Sequence, residues 1–203
     1  MKSLVTGDAI AIITPGNLLP ERFKNQKNYS IDYLNNIGFN CLDYTNDNTN
    51  DSEYERAEKL MAVFKDKSIS CILPICGGDR CNDIIKYLDF DEIKKNPKIL
   101  CGYSHLSILL NTIAFKSEFS TFYGPHISFI NNRSSKREIM YSIHNFWNSL
   151  MMDSKSNNSM AKNEKIHLLR CTESDDFLIY KNIMSSQKIL DMRVDNFFYY
   201  NKS

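Results

Sequence analysis

The sequence lacks the features that mark several large classes of protein. Its net charge is only +1 at pH 7, so charge gives no reason to expect nucleic acid or an anionic membrane as a partner. No apolar run approaches the roughly 20 residues that a transmembrane helix needs. Residues 1–8 turn polar too early for a signal peptide. We therefore expect a cytoplasmic protein that binds neither nucleic acid nor membrane.

Common metal and cofactor motifs are also missing. The six cysteines include no Cys-x-x-Cys pair, the spacing that zinc and redox sites use. Reduced, mostly buried thiols fit their scatter best. There is no Gly-x-Gly-x-x-Gly and no Walker pattern, so little indicates a bound nucleotide cofactor. We expect no metal and no cofactor.

Glycine is scarce and runs out early. The last of the seven glycines is Gly124, and the 79 residues after it hold none. Residues 153–165 are rich in Ser, Asn and Lys, which is typical of a linker. The sequence therefore predicts a domain at residues 1–152, a linker at 153–165 and a short C-terminal remnant at 166–203.

Apolar runs of strand length alternate with helical patterns along residues 8–123. The clearest helix opens on Ser52-x-x-Glu55, a capping-box pattern, and continues with an apolar face of helical period. Strands separated by helices favour an α/β fold with a parallel sheet flanked by helices. The predicted strands are residues 8–14, 39–44, 71–75, 99–103 and 121–123. Further helices are predicted at 21–36, 82–88, 106–116 and 135–150.

Ser104 stands between the fourth predicted strand and the helix that follows it. A serine on such a sharp turn exposes its hydroxyl near a helix N-terminus, where free N–H groups and the helix dipole stabilise negative charge. That placement suits a nucleophile, and it lies at the strand edge where open α/β sheets bind ligands. The alternative is that Ser104 only caps the helix, as serines often do.

Gly77-Gly78 follows the third predicted strand, at the same edge of the sheet. Paired glycines let the backbone approach a ligand closely and turn its N–H groups toward it. Beside a serine nucleophile they would supply part of an oxyanion hole. The simpler alternative is a tight turn.

Six short motifs follow one another along residues 5–150: Ala-Ile-Ile-Thr-Pro at 11–15, Glu-Arg-Ala at 55–57, Gly-Gly at 77–78, Leu-Asp-Phe-Asp-Glu-Ile at 88–93, Asn-Pro-Lys-Ile-Leu-Cys-Gly-Tyr-Ser at 96–104, and Thr-Phe-Tyr-Gly-Pro at 121–125. In this order they resemble the LD-carboxypeptidase family of serine peptidases. That family includes the microcin C self-immunity peptidases. Asn82 and the Asn-Pro-Lys-Ile motif are more similar to that branch than to the murein-recycling branch.

The resemblance implies a flavodoxin-like domain that carries the nucleophile, followed by a second domain. Ser104 matches the serine of the family's Gly-Tyr-Ser-Asp motif. Gly78 matches the glycine turn that forms the oxyanion hole together with the backbone N–H of the next residue after the serine, here His105. Two neighbours of Gly78, Gly77 and Asp79, become candidates for substrate binding.

The resemblance also implies an activity. Family members hydrolyse an amide bond near a free carboxylate in a small peptide-like substrate, with a Ser–His–Glu arrangement and no metal. The substrate would be a murein L,D-peptide or a peptidyl- or aminoacyl-nucleotide antibiotic of the microcin C type. His126 follows Gly124-Pro125 close to the expected crevice, and it is a further candidate for substrate binding.

Two departures from the family pattern bear on activity. His105 stands where the family has Asp. The family's Glu and His come from a longer, glycine-rich C-terminal domain, and residues 166–203 are too few to form one. The Glu and His residues near the C-terminus are Glu164, His167 and Glu173. Each is better explained as a solvent-exposed side chain than as a catalytic group.

Two hypotheses therefore stand. The chain is either a serine hydrolase with Ser104 as nucleophile, or a shortened, inactive family member that keeps the fold and ligand binding. A shortened member would expose the apolar surface on which the second domain docks. Either residues 166–180 would pack back on that surface or a second copy would cover it in a homodimer.

Overall fold

The computed structural model describes residues 2–16, 21–45, 51–77, 79–130 and 137–151. Its strands are β1 (Ala9–Ile13), β2 (Asn40–Tyr44), β3 (Ile69–Pro74), β4 (Ile99–Gly102) and β5 (Phe122–Tyr123). Its α-helices are α1 (Glu21–Asn36), α2 (Glu53–Lys65), α3 (Phe90–Lys95), α4 (Leu106–Ser117), α5 (Ile127–Ile130) and α6 (Arg137–Met151). A 3₁₀ helix covers Cys81–Tyr87. The predicted linker and the segment at 166–203 lie outside the described residues.

All five strands run parallel, in the order β2-β1-β3-β4-β5. This is the strand order of flavodoxin-like folds. The predicted α/β class, with a flavodoxin-like parallel sheet flanked by helices, is confirmed. In such a sheet the carboxyl ends of all strands meet at one edge. Ile13, the last residue of β1, lies opposite Tyr44 of β2 and Pro74 of β3, so these three strands end level with one another.

Both faces of the sheet are buried, and β1 shows why. Side chains alternate across a strand, so Ile10 and Ile12 lie in the apolar cluster on one face while Ala11 and Ile13 lie in the cluster on the other. The first cluster also takes in residues of α1 and α6, and the second takes in residues of α2 and α4. Each face of the strand therefore needs apolar residues, which gives a continuous apolar run.

Helix α2 begins as predicted. The Ser52 hydroxyl accepts a hydrogen bond from the Glu55 backbone N–H at 3.2 Å, and a Glu55 carboxylate oxygen accepts one from the Ser52 N–H at 2.7 Å. Both halves of the capping box are formed, and this satisfies two backbone donors that the helix leaves free.

The segment between β3 and β4 differs from its prediction. The turn predicted as a helix at 82–88 is the 3₁₀ helix. A separate helix, α3, follows it and was not predicted. Its N-cap is Asp89, whose carboxylate accepts a hydrogen bond from the Glu92 N–H at 2.9 Å. Asp89-x-x-Glu92 is thus a start signal, and it separates α3 from the 3₁₀ helix before it.

The described cysteines are free, and four of them are buried as predicted: Cys71, Cys76, Cys81 and Cys101. Cys41 is partly exposed on the edge strand β2. Across the described ranges, no helix combines the length and apolar character needed to span a bilayer.

Candidate active site

The residues after β1, β3, β4 and β5 converge at the carboxyl edge of the sheet. Gly77 follows β3, Ser104 follows β4, and His126 follows β5, and Gly77 lies against both of the others. The sequence predicts that Ser104 and the glycine turn lie close together, because parallel strands end at one edge of the sheet.

Ser104 lies in the turn between β4 and α4, as predicted. It is exposed, and its φ of +65° places it in the left-handed region that a serine rarely adopts. The backbone is held there by α4, because the Ser104 carbonyl accepts hydrogen bonds from the Ser107 N–H at 2.9 Å and the Ser107 hydroxyl at 2.6 Å. A strained turn of this kind presents the side chain outward at the start of a helix.

The alternative role for Ser104, as a helix cap, does not match this geometry. The N-cap of α4 is His105, and no side-chain hydrogen bond caps the helix. His105 is exposed, and its backbone N–H directly follows Ser104 in the first turn, where helix N–H groups have no intrahelical partner. Its carbonyl accepts a hydrogen bond from the Cys81 thiol at 2.9 Å, which ties the turn to the 3₁₀ helix.

Gly77 is packed directly against Ser104. A Cβ built on Gly77 would lie 2.9 Å from the Ser104 Cβ, 3.2 Å from its Oγ and 3.1 Å from His126 Cε1. No side chain fits in that space, so glycine is required for the β3 exit to approach the serine this closely. The predicted contact between the glycine turn and Ser104 is confirmed at Gly77. Gly78 lies outside the described residues, and Asp79 is exposed in the turn that follows.

His126 is buried behind the serine turn. It is 5% exposed, its Nε2 lies 3.1 Å from the Tyr103 carbonyl oxygen, and its ring stacks on the Tyr103 ring. Because a carbonyl can only accept, Nε2 carries the hydrogen and Nδ1 holds the lone pair. Burial lowers the pKa of His126 to about 4, against the opposing effect of the hydrogen bond to Tyr103. At neutral pH the imidazole is therefore uncharged.

Arg56 is a buried cation beside this edge, and sequence analysis identified it only as part of the Glu-Arg-Ala motif. Only 4% of it is exposed. Its Nη1 donates to the Pro15 carbonyl after β1 at 3.3 Å and to the Arg80 carbonyl after β3 at 3.5 Å. Arg56 thus connects the loop after β1 to the loop after β3, which carries the glycine turn. The sequence signal for the burial of Arg56 is its spacing, because Arg56 and Leu60 lie one helical turn apart on the buried face of α2.

The part of the chain that the structure describes holds no general base on the Ser104 hydroxyl. Within the described ranges no carboxylate or imidazole is hydrogen-bonded to the Ser104 hydroxyl, and no cluster of His, Cys, Asp or Glu is placed to hold a metal ion. His144 is exposed on α6, where its Nε2 is paired with the Asn148 amide at 2.9 Å. Glu164, His167 and Glu173 lie outside the described residues.

Known proteins resemble the chain over this same region. The family model for the LD-carboxypeptidase N-terminal domain matches residues 10–124. The microcin C7 self-immunity protein MccF of Escherichia coli is 32% identical over 127 residues, which make up 60% of this chain and 37% of that protein.

Solved structures agree. An MccF-like protein from Bacillus anthracis superposes with a TM-score of 0.63 at 29% identity, covering 73% of this chain and 46% of its own. MccF in complex with aspartyl sulfamoyl adenosine superposes with a TM-score of 0.68 at 27% identity, covering 75% and 47%. The chain therefore spans less than half the length of each of these relatives.

Proposed function

The chain belongs to the LD-carboxypeptidase family, and from that premise we propose that Ser104 is the nucleophile of a serine-type carboxypeptidase or amide hydrolase. Its substrates are small peptide-like molecules. Among them we favour a peptidyl- or aminoacyl-nucleotide of the microcin C type over a murein L,D-peptide. The reason is that similar MccF has been solved with aspartyl sulfamoyl adenosine bound.

The observation that carries the proposal is the left-handed turn at Ser104 with Gly77 packed against it. A strained non-glycine residue costs stability, and such residues cluster at active sites, where the strain holds a reacting group in place. In this proposal the His105 N–H and the backbone N–H groups of the glycine turn face the reacting carbonyl. Those N–H groups suit the negative charge of a tetrahedral intermediate.

In the proposed reaction, the Ser104 oxygen attacks the amide carbonyl carbon and its proton passes to a base. The carbonyl oxygen becomes an oxyanion, which the backbone N–H groups of Gly78 and His105 stabilise. Collapse of this intermediate breaks the C–N bond, the amine leaves with a proton, and an acyl-serine remains. Water then releases the acid. Gly77, Asp79 and His126 line or support the substrate side of this turn.

A second candidate function follows from one observation, the lack of a base on the Ser104 hydroxyl within the described residues. A positioned base is typically worth about 10²–10⁴-fold in rate. A chain without one would bind the same ligand through the same turn and turn it over slowly or not at all. This is an inactive family member that keeps ligand binding.

The first experiment tests the nucleophile. The full chain is incubated with a fluorophosphonate probe, and the modified peptide is identified by mass spectrometry. We expect label on Ser104, lost in Ser104→Ala and kept in Ser68→Ala, an exposed serine at the other edge of the sheet. Label that survives in Ser104→Ala would remove Ser104 from the mechanism.

The second experiment separates the two functions. Aspartyl sulfamoyl adenosine serves as the binding probe in calorimetry, and aspartyl-adenylate analogues with a scissile amide serve as substrates. Binding with turnover that Ser104→Ala abolishes supports the hydrolase. Binding without turnover supports the inactive member. Absence of both, with tetrapeptide cleavage instead, would favour the murein-type substrate.

A further inference from the structure

A second polar site lies at the opposite edge of the sheet from Ser104. A cleft of about 290 Å³ opens at the amino ends of β3 and β4, where the chain enters these strands. It is lined by parts of four segments: the N-terminal residues, the turn between α2 and β3, the first residues of β3, and the loop between α3 and β4. Its volume is at the lower end of the range for small-molecule sites.

The lining is strongly basic. Lys2, Lys67, Lys95 and Lys98 all line the cleft, and none of its lining residues is acidic. Four like charges on one small lining repel one another, and an anion bound among them would relieve that repulsion.

The neighbouring carboxylates offset only part of this charge, since Asp66 attracts the Lys98 ammonium electrostatically but is hydrogen-bonded elsewhere. Asp66 accepts hydrogen bonds from the Ser68 N–H at 2.9 Å and the Ser68 hydroxyl at 2.7 Å. Glu92 lies 3.6 Å from the largely exposed Lys95, which is a long contact, and it also accepts a hydrogen bond from the Asn96 amide at 2.9 Å. Lys95 is therefore only weakly paired.

Lys98 gives an independent indication. It is only 5% exposed, and its Nζ donates to the Asp66 carbonyl at 2.6 Å and the Ile69 carbonyl at 2.7 Å. Both partners are neutral, so within the described residues this buried cation contacts no carboxylate. Burial lowers the pKa of Lys98, and the attraction of the Asp66 carboxylate opposes that effect without cancelling it. As an ammonium it has one more hydrogen to donate.

We propose that this cleft binds a small, multiply charged phosphate anion, such as pyrophosphate or the phosphate group of a small metabolite. Lysines bind phosphate as flexible point charges, and four of them match more than one negative charge. Ser70 in the same lining adds a neutral hydroxyl group. The site is separate from Ser104 and does not depend on hydrolysis.

The test uses inorganic pyrophosphate as the probe, at constant ionic strength and without divalent cations. Calorimetry on the full chain should give a Kd below about 1 mM, with sulfate and chloride weaker by at least about tenfold. Lys67→Ala/Lys95→Ala should raise that Kd at least about tenfold. The matched control, Lys94→Ala/Lys116→Ala, removes the same charge outside the cleft and should leave the Kd within about twofold. Ser104→Ala should bind like the parent.

Two results would overturn the proposal: no saturable pyrophosphate binding, or equal weakening in both double variants, which would mean a response to net charge alone. The last measurement repeats the calorimetry with a sugar phosphate as the ligand. Tighter binding than pyrophosphate would assign the site to a phosphorylated metabolite, and weaker binding would assign it to the inorganic anion. Because Ser104→Ala is included, failure here is distinct from failure of the proposed hydrolase.

Discussion

The imidazole of His126 lies against the residue before the serine turn: its Nε2 is 3.1 Å from the Tyr103 carbonyl oxygen, and the two rings stack with centroids 3.9 Å apart. The histidine comes from the loop after β5 and the tyrosine from the exit of β4. His126 thereby fixes the peptide that leads into Ser104. Its role in this geometry is to hold the turn, and its protonation should loosen it.

The stability of the fold should therefore depend on pH through His126. The folded state keeps the ring neutral to about pH 4, whereas the unfolded chain protonates it near 6.5. The unfolded chain thus binds more protons between these values, so this stabilisation is present above 6.5 and is lost as pH falls toward 4. Between pH 7 and 4.5 we expect a loss of about 2 kcal/mol from this residue.

Urea unfolding of the parent and of His126→Gln at both pH values measures that loss. Glutamine can still donate to the Tyr103 carbonyl but does not titrate. The difference between the two proteins should therefore shrink on acidification by about 2 kcal/mol. Parallel pH profiles would show that His126 is not held neutral by the fold.

Because of the backbone strain at Ser104, glycine should stabilise the fold more than alanine at this position, the reverse of the usual order. At a φ of +65° an L side chain costs about 1 kcal/mol that glycine does not. Ser104→Gly should thus be more stable than Ser104→Ala by about 1 kcal/mol. At Asn111, exposed within α4, the order should reverse, with alanine more stable by about 1 kcal/mol. Chemical denaturation of the four variants decides it, and the same order at both positions would contradict a strained turn.

Gly77→Ala should disturb the candidate nucleophile without breaking the sheet. The added methyl group meets Ser104 and His126 at 2.9 to 3.2 Å, so the serine turn must shift. We expect the rate of fluorophosphonate labelling to fall at least about tenfold, since small misplacements are costly in reactive sites, with a loss of about 1–3 kcal/mol in unfolding free energy.

Gly102→Ala is the control for that substitution. Its methyl group would meet the Leu106 Cδ1 at 2.9 Å and the Pro74 Cγ at 3.1 Å, both apolar side-chain atoms. It should lose stability and retain most of the labelling. If Gly77→Ala reacts at the parent rate, the contact with Ser104 has no part in reactivity.

Arg56 should hold the loops after β1 and β3 together. Arg56→Met leaves the Pro15 and Arg80 carbonyls without the guanidinium donor. Amide hydrogen exchange in peptides covering residues 14–16 and 76–81 should then become faster by at least about fivefold, equivalent to about 1 kcal/mol of local opening. Glu58→Met, exposed on the same helix, should leave these peptides unchanged. Equal exchange in both variants would refute the role.

The fold could be predicted from the sequence because its determinants are local. Apolar runs bounded by turns marked every strand, and the capping box at Ser52 marked the start of α2 to the residue. Boundaries were less exact: β3 begins at Ile69, two residues before the predicted start, because its first residue is buried while Ser70 breaks the apolar run. The helix start at Asp89 was overlooked, although its signal was also local.

The candidate site was only partly predictable because some of its contacts join residues that are far apart in the sequence. Ser104 and the glycine turn follow from strand ends, which the parallel topology aligns. The burial of His126 depends on packing against Tyr103, 23 residues earlier in the chain. Arg56 donates to carbonyls 41 and 24 residues away. Neither contact leaves a pattern within a short window of sequence.

The reactivity of the cysteines in the sheet can report on how the sheet unfolds. Alkylating reagents attack the thiolate, and burial raises the pKa of Cys41 to about 12 and that of Cys71 and Cys101 well above the ordinary value. The fully buried thiols of Cys71 and Cys101 therefore react mainly when their strands open, whereas the partly exposed Cys41 needs less opening of β2. Cys41 lies on the edge strand β2, Cys71 on the central strand β3 and Cys101 on β4. Pulsed alkylation during unfolding would therefore show the order in which the three strands open.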